Sequence, residues 1–145
     1  MNVKQLSIFL ENKPGMLAEF ARVLQDNDIS MRALSLAEAP DFGVLRIIVD
    51  DPYKLSSVLK DEGYVYSVTP VLAAVVPDKA GSLVKILDIL AENDVNLEYT
   101  YTFLGRRPQE AYMILRVSDN DTAIKMLTKA GVKLMCQDDI NDMLK

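Results

Sequence analysis

The chain has 145 residues, 50% of them hydrophobic and 26% charged, a length and composition that bury roughly two thirds of the unfolded surface and exclude a disordered chain. With 21 Asp and Glu against 16 Lys and Arg the formal charge is −5, and no apolar run approaches the ~18 residues of a membrane helix, so neither nucleic acid nor a bilayer is an expected partner. The absence of His and the presence of one Cys remove imidazole acid/base catalysis, Ser-His-Asp triads, His-ligated metals and a structural zinc site.

No metal and no cofactor is therefore expected, and Cys136, within Val132-Lys133-Leu134-Met135-Cys136, reads as an apolar strand residue rather than a nucleophile. The N-terminal residues lack the long apolar segment and small-residue cleavage site of a secretory signal, which makes the cytoplasm the expected location.

In chain order, residues 3–10 have strand composition, and Asn12-Lys13-Pro14-Gly15 breaks the strand before a helix with Leu17, Phe20, Ala21 and Leu24 at helical spacing. A second strand covers 29–38, a hairpin turn Glu38-Ala39-Pro40-Asp41-Phe42-Gly43, and a third strand 44–49. The carboxylates of that turn could also receive an ammonium group. A second helix over 52–62 ends at Gly63, and residues 64–69 form a fourth strand.

The same order then repeats. Sliding the sequence by 66 positions aligns Asn12-Lys13-Pro14-Gly15-Met16-Leu17 with Asp78-Lys79-Ala80-Gly81-Ser82-Leu83, and Asn27-Asp28 with Asn93-Asp94; after a two-residue insertion Val49, Asp51, Leu59 and Gly63 align with Val117, Asp119, Leu127 and Gly131. The second copy reads as strand 70–76, helix 81–93, strands 95–104 and 111–118, helix 120–130 and strand 132–137. Two modules follow, residues 1–69 and 70–145, each a βαββαβ unit of α+β, ferredoxin-like plan. The turn residues Arg106-Arg107 read as a solvated loop, with phosphate or partner binding as the alternative, and the tail Asp138–Lys145 is too short for an independent helix and either docks or frays.

The strand-to-helix turn carries chemistry. A helix start offers unpaired N–H groups and the positive end of the helix dipole, so it welcomes a carboxylate. Gly15 lets an anion approach, Pro14 uses no donor, and the Asn12 amide can serve both an ammonium and a carboxylate. From the residues alone this is either a turn with a helix cap or a site for a zwitterion.

The Asn-Lys-Pro-Gly-Met-Leu turn, recurring in a second βαββαβ copy, resembles that of the ACT domain, a small regulatory module that binds amino acids in biosynthetic enzymes. That resemblance spans nearly the whole chain and implies a non-catalytic, tandem ACT protein that binds a free amino acid and signals through assembly or a partner. In ACT pairs the second strands join into one eight-stranded sheet with the helices on one face, which sets each turn beside the other module's strand. The first site implied is Asn12, Lys13, Pro14, Gly15, Met16 and Leu17 facing Tyr99 and Tyr101, with Leu97, Tyr99, Tyr101 and Phe103 on one side of their strand at period two. The matching strand presents Met31, Ala33, Ser35 and Ala37. The second site, Asp78, Gly81, Ser82 and Leu83 with Ser35, departs from the pattern because Ala80 stands where Pro is usual.

A homodimer is expected from the helix-free sheet face around Tyr112 and Ile114. The competing reading is a ligand-independent regulatory subunit or interaction module of an amino-acid biosynthetic enzyme. An acylphosphatase-like hydrolase is disfavoured because residues 11–17 hold no arginine, and the Cys-x-x-Cys of ferredoxin-like metal carriers is missing.

Overall fold

The computed structural model describes residues 2–103, 105 and 107–143. Arg106 of the turn and Leu144 and Lys145 of the tail lie outside the described residues. Two compact units are found: one spans Lys4–Thr69, and the other runs from Pro70 onward and takes in Val3.

The first unit contains β1 (Val3–Glu11), α1 (Met16–Asp26), β2 (Met31–Glu38), β3 (Phe42–Val49), α2 (Pro52–Asp61) and the beginning of β4 (Val65–Pro77). Its strand order is β2-β3-β1-β4, the ferredoxin-like arrangement. Alternation along the strands sends Leu6, Ile8, Leu10, Leu45, Ile47 and Val49 to one face, where Phe20 and Leu24 of α1 and Leu55 and Leu59 of α2 complete the core. Each helix pair is spaced four residues apart, so both side chains lie on the same stripe.

The second unit repeats this with the rest of β4, α3 (Ser82–Glu92), β5 (Leu97–Phe103), β6 (Glu110–Val117), α4 (Asn120–Lys129) and β7 (Lys133–Met135), in the order β5-β6-β4-β7. Its core places Ile86 and Leu90 of α3 and Ala123 and Leu127 of α4 against Leu72, Ala74, Met113, Leu115 and Leu134. The repeated Asn-Asp dipeptides end α1 and α3 alike: Asn27 and Asn93 Nδ2 donate back to the carbonyls of Val23 and Ile89, each at 2.8 Å. Asp28 and Asp94 then take the left-handed conformation at φ 53° and 56°, which a short polar side chain tolerates.

Two expectations are corrected. Residues 64–69 and 70–76, expected as two strands, are one 13-residue strand, β4 (Val65–Pro77), because β1, β6 and β7 all pair alongside it and Pro70 does not interrupt it. The described strands therefore number seven. The join of the two second strands into an eight-stranded sheet is not found, since among the described residues β2 pairs with β3 and β5 with β6. Tyr112 and Ile114, around which a homodimer face was expected, are 2% and 0% exposed within the single chain.

The tail also orders. Its residues form a seven-residue helix, α5 (Gln137–Met143), anchored by fully buried Ile140. Cys136 lies half-buried between β7 and α5 rather than within a strand. Its N–H donates to Asp139 Oδ2 at 2.9 Å, a bond that holds the Asp139 carboxyl below its ordinary range.

Candidate functional site

In each unit the helix after the first strand starts differently from the other. Asp51 accepts the N–H of Lys54 at 3.0 Å to cap α2, and Asp119 accepts that of Thr122 at 3.1 Å to cap α4. By contrast α1 and α3 are preceded by Gly15 and Gly81 at φ 86° and 92°, with no side-chain cap. Met16 and Ser82 N–H turn back to the carbonyls of Lys13 and Lys79 at 3.5 and 3.3 Å, and no side chain caps the N–H groups that follow in the first turn. Left-handed backbone explains the glycines, since an added Cβ would meet nothing within 4 Å at either position.

At the first turn a cleft of about 260 Å³ opens between the start of α1 and the far end of β2. Asn12, Lys13, Met16 and Leu17 line it from the turn and helix, with Leu36, Ala37 and Glu38 from β2 and Gly43 from β3. Asn12 binds the turn to the β2–β3 hairpin: its backbone N–H donates to Asp41 O at 3.4 Å and its Nδ2 to Ala39 O at 3.2 Å. Lys13 Nζ pairs with Glu11 at 3.0 Å on the open rim. The result is a concave place with uncapped N–H groups at a helix start, a carboxylate from Glu38, and apolar walls from Leu10, Met16, Leu17 and Leu36. That set can receive a carboxylate, an ammonium and an apolar side chain.

Four of the six expected turn residues thus share one cleft, while Pro14 and Gly15 form the exposed turn beside it. Glu38 arrives from the hairpin whose carboxylates were singled out. Leu10 and Leu36 were not anticipated, and Ala37 was expected on the strand of the second site; only the β2–β3 register, which sets Ala37 opposite Val44 and Glu38 opposite Gly43, brings them to the turn.

The second turn is assembled otherwise. Gly81 and Ser82 line a cleft of about 230 Å³ with Lys79, Lys85 and Val132, whereas Asp78 lines a different one of about 300 Å³ with Thr102 and Phe103. The Ser82 hydroxyl is committed to Pro77 O at 2.6 Å, and Leu83 is exposed. Residues that share a cleft in the first unit are divided between two in the second.

Strand faces also differ from the period-two reading. In β5 the register shifts between Leu97 and Tyr99, leaving Leu97 opposite Val117 on the helix side while Tyr99, Tyr101 and Phe103 stand opposite Arg116, Ile114 and Tyr112 on the other. The matching shift in β2 separates Met31 from Ala33, Ser35 and Ala37, with Ser35 opposite Arg46. Each bulge inserts one residue and flips the face on which the strand continues. Tyr99 and Tyr101 are half-buried and are not part of the core beneath the helices.

Among the described residues no helix is long and apolar enough to cross a membrane, and no group of three or more His, Cys, Asp or Glu is placed to hold a metal ion.

Comparison with known proteins places this geometry in a family. The chain is similar to the crystal structure of protein BT0572 from Bacteroides thetaiotaomicron, with 40% identity, a TM-score of 0.91, and coverage of 97% of this chain and 96% of that one. The fold is shared with the regulatory subunit of aspartate kinase from Thermus thermophilus in its ligand-free form, at 14% identity, TM-score 0.61, and coverage of 88% and 91%. It is shared too with that subunit from Thermus flavus, at 12% identity, TM-score 0.59, and coverage of 90% and 94%. No curated protein matches the chain. The model of a family described as an ACT domain pair matches residues 1–144, and the chain belongs to that family.

Proposed function

We propose that this ACT domain pair is a non-catalytic regulatory protein that binds a free amino acid at the turn Asn12–Leu17 and passes occupancy to a partner through assembly. The observation that carries the reading is the uncapped start of α1 opening onto a cleft with Glu38 and apolar walls, in a protein whose α2 and α4 are both capped by Asp. The ligand carboxylate takes the α1 N–H groups, its ammonium takes Glu38, and its side chain lies against Leu10, Met16, Leu17 and Leu36. Regulation has its precedent in the Thermus proteins of the same fold, whose descriptions are of regulatory subunits. Mechanistically, a ligand shifts assembly by no more than its differential affinity for the two states.

A thermal-shift and calorimetric screen of the common L-amino acids tests this. Saturation at 100 times the dissociation constant adds about 2.7 kcal/mol to stability. No heat and no shift with any amino acid at millimolar concentration overturns it in favour of a ligand-independent regulatory subunit. The part assigned to Tyr99 and Tyr101 is read separately, as a loss of affinity in Tyr99→Ala and Tyr101→Ala.

A further inference from the structure

The repeat carries one element without a counterpart. In the second unit the chain leaves β7 for α5, which lies alongside Val75 of β4, Glu110 of β6 and Lys133 of β7 and lines one pocket with them. In the first unit the matching stretch of β4 runs on as strand to Pro77 instead of turning into a helix. The repeat alignment puts Phe9, Phe42 and Val65 at the positions of Val75, Glu110 and Lys133. The registers agree, since Phe9 stands opposite Val44 as Val75 stands opposite Tyr112, and Glu11 opposite Phe42 as Pro77 opposite Glu110.

Where the second unit has a helix, the first has open apolar surface. Phe9 and Val65 point away from α1 and α2, because their strand neighbours Ile8, Leu10, Tyr64 and Tyr66 pack in the core beneath those helices. Phe42, opposite Glu11, shares the face of Phe9, and the two rings meet at 5.8 Å between centroids. Phe9 is 42% exposed, Phe42 43% and Val65 67%, a patch of the kind that marks an interaction site. Charge decides what fits it. The helix α5 is acidic, with Asp138, Asp139 and Asp142, and beyond the Cys136 bond the Lys133 charge also lowers the Asp139 carboxyl. In the first unit Val65 stands at that lysine position, and two carboxylates flank Phe42: Glu11 across the strands and Asp41 before it in the hairpin. The Glu11 pairing with Lys13 is exposed and therefore weak. An acidic helix, including α5 of a second copy, would meet like charge here, whereas a basic one meets its complement.

We propose that the face formed by Phe9, Phe42 and Val65 is a docking surface for a basic amphipathic helix of a partner protein, which lays aliphatic side chains on the two rings and Val65 and presents Lys or Arg to Glu11 and Asp41. The partner helix takes on the first unit the place that α5 takes on the second. This goes beyond amino-acid binding, and none of the three apolar residues lines the first cleft.

Two synthetic peptides of about 15 residues, long enough to be helical, serve as probes: one with Leu along a single helical face and Lys elsewhere, the other with Glu in place of Lys. Each is titrated into the full chain without amino acid, with valine methyl resonances reporting on Val65 and sedimentation on the oligomeric state. The Leu/Lys peptide should bind saturably and shift the Val65 methyls, and the Leu/Glu peptide should bind at least about tenfold more weakly. Phe9→Ser and Phe42→Ser should each weaken the Leu/Lys peptide by about tenfold or more, as loss of a central aromatic anchor does. Val65→Lys, which restores the cation of the second unit at an exposed position, should weaken the Leu/Lys peptide and strengthen the Leu/Glu peptide, and near-UV circular dichroism confirms that the variants are folded. The inference is overturned if neither peptide binds saturably, or if both bind equally. It is overturned as well if binding leaves the Val65 methyls unmoved or persists unchanged in Phe42→Ser and Val65→Lys, which would mean charge attraction elsewhere on the chain. A free chain that sediments as a dimer and is split by Phe42→Ser overturns it in favour of a second copy as the occupant. None of these outcomes bears on the amino-acid screen of the first cleft.

Discussion

The Asn12 side-chain amide donates to the Ala39 carbonyl at 3.2 Å, tying the loop that starts α1 to the hairpin that carries Glu38 into the same cleft. Asn12→Ala removes that tie. Its stability cost is about 0.5–1.5 kcal/mol at most, the net worth of a hydrogen bond at an exposed site. Amino-acid affinity at the first cleft should fall more than the melting temperature does, which parallel calorimetry and thermal melts will show.

Gly15 and Gly81 make a matched pair, with φ of 86° and 92° and open space where a Cβ would project. Gly15→Asp and Gly81→Asp should therefore cost similar stability, roughly 1–2 kcal/mol each for a non-glycine residue in left-handed backbone. Their effects on binding should differ. Gly15→Asp places a carboxylate where the ligand carboxylate enters and should abolish binding at the first cleft, while Gly81→Asp leaves it near the unaltered value. Equal losses in a calorimetric titration would mean two equivalent turns.

Gly105 is a different kind of glycine. A Cβ there would come within 2.2 Å of the Tyr112 ring, and that ring is buried against Phe103 at a centroid distance of 5.4 Å. Gly105→Ala should destabilise the second unit by about 1–3 kcal/mol through overpacking. The penalty should shrink in the Tyr112→Ala background, so a denaturant-melt double-mutant cycle must show coupling.

Phe20 is 1% exposed, packs among the sheet residues of the first unit and meets Tyr64 edge-on at 5.7 Å. Phe20→Ala is expected to cost about 3–5 kcal/mol. Urea unfolding monitored by circular dichroism measures it, and a loss below about 1 kcal/mol would contradict the packing.

Stability should decline at both ends of the pH scale. Tyr64 and Tyr112 have raised pKa values, each chiefly from burial and then from a neighbouring carboxylate. Their contribution is complete below the ordinary value of 10.0 and is lost as pH climbs through the higher folded value, because the unfolded chain ionises first. In thermal melts above pH 10, Tyr112→Phe should show a shallower fall than the unaltered chain.

Asp119 and Asp139 are lowered, the first by the hydroxyl and N–H of Thr122, the second by the N–H of Cys136. Their contribution is present above the ordinary 3.8 and fades as pH falls through the lower folded values. Asp119→Asn, which keeps an acceptor but no titrating group, should flatten that acid limb.

The sequence by itself determined the two-copy order of strands and helices, because that order rests on local periodicity and on breakers such as Asn12-Lys13-Pro14-Gly15 and Asn27-Asp28. It also singled out the turn, since a glycine before a helix start has a local backbone reason. Pairing was left to the tertiary structure. Whether 64–76 is one strand or two depends on neighbouring strands continuing alongside it, and the face shown by Tyr99 or Ser35 depends on a bulge that exists only between two hydrogen-bonded strands. The cleft walls Leu36 and Glu38 meet Asn12 through register, and α5 orders because Ile140 finds a buried place. Such contacts join residues far apart in the chain, and their free energy appears only once both partners are held in place.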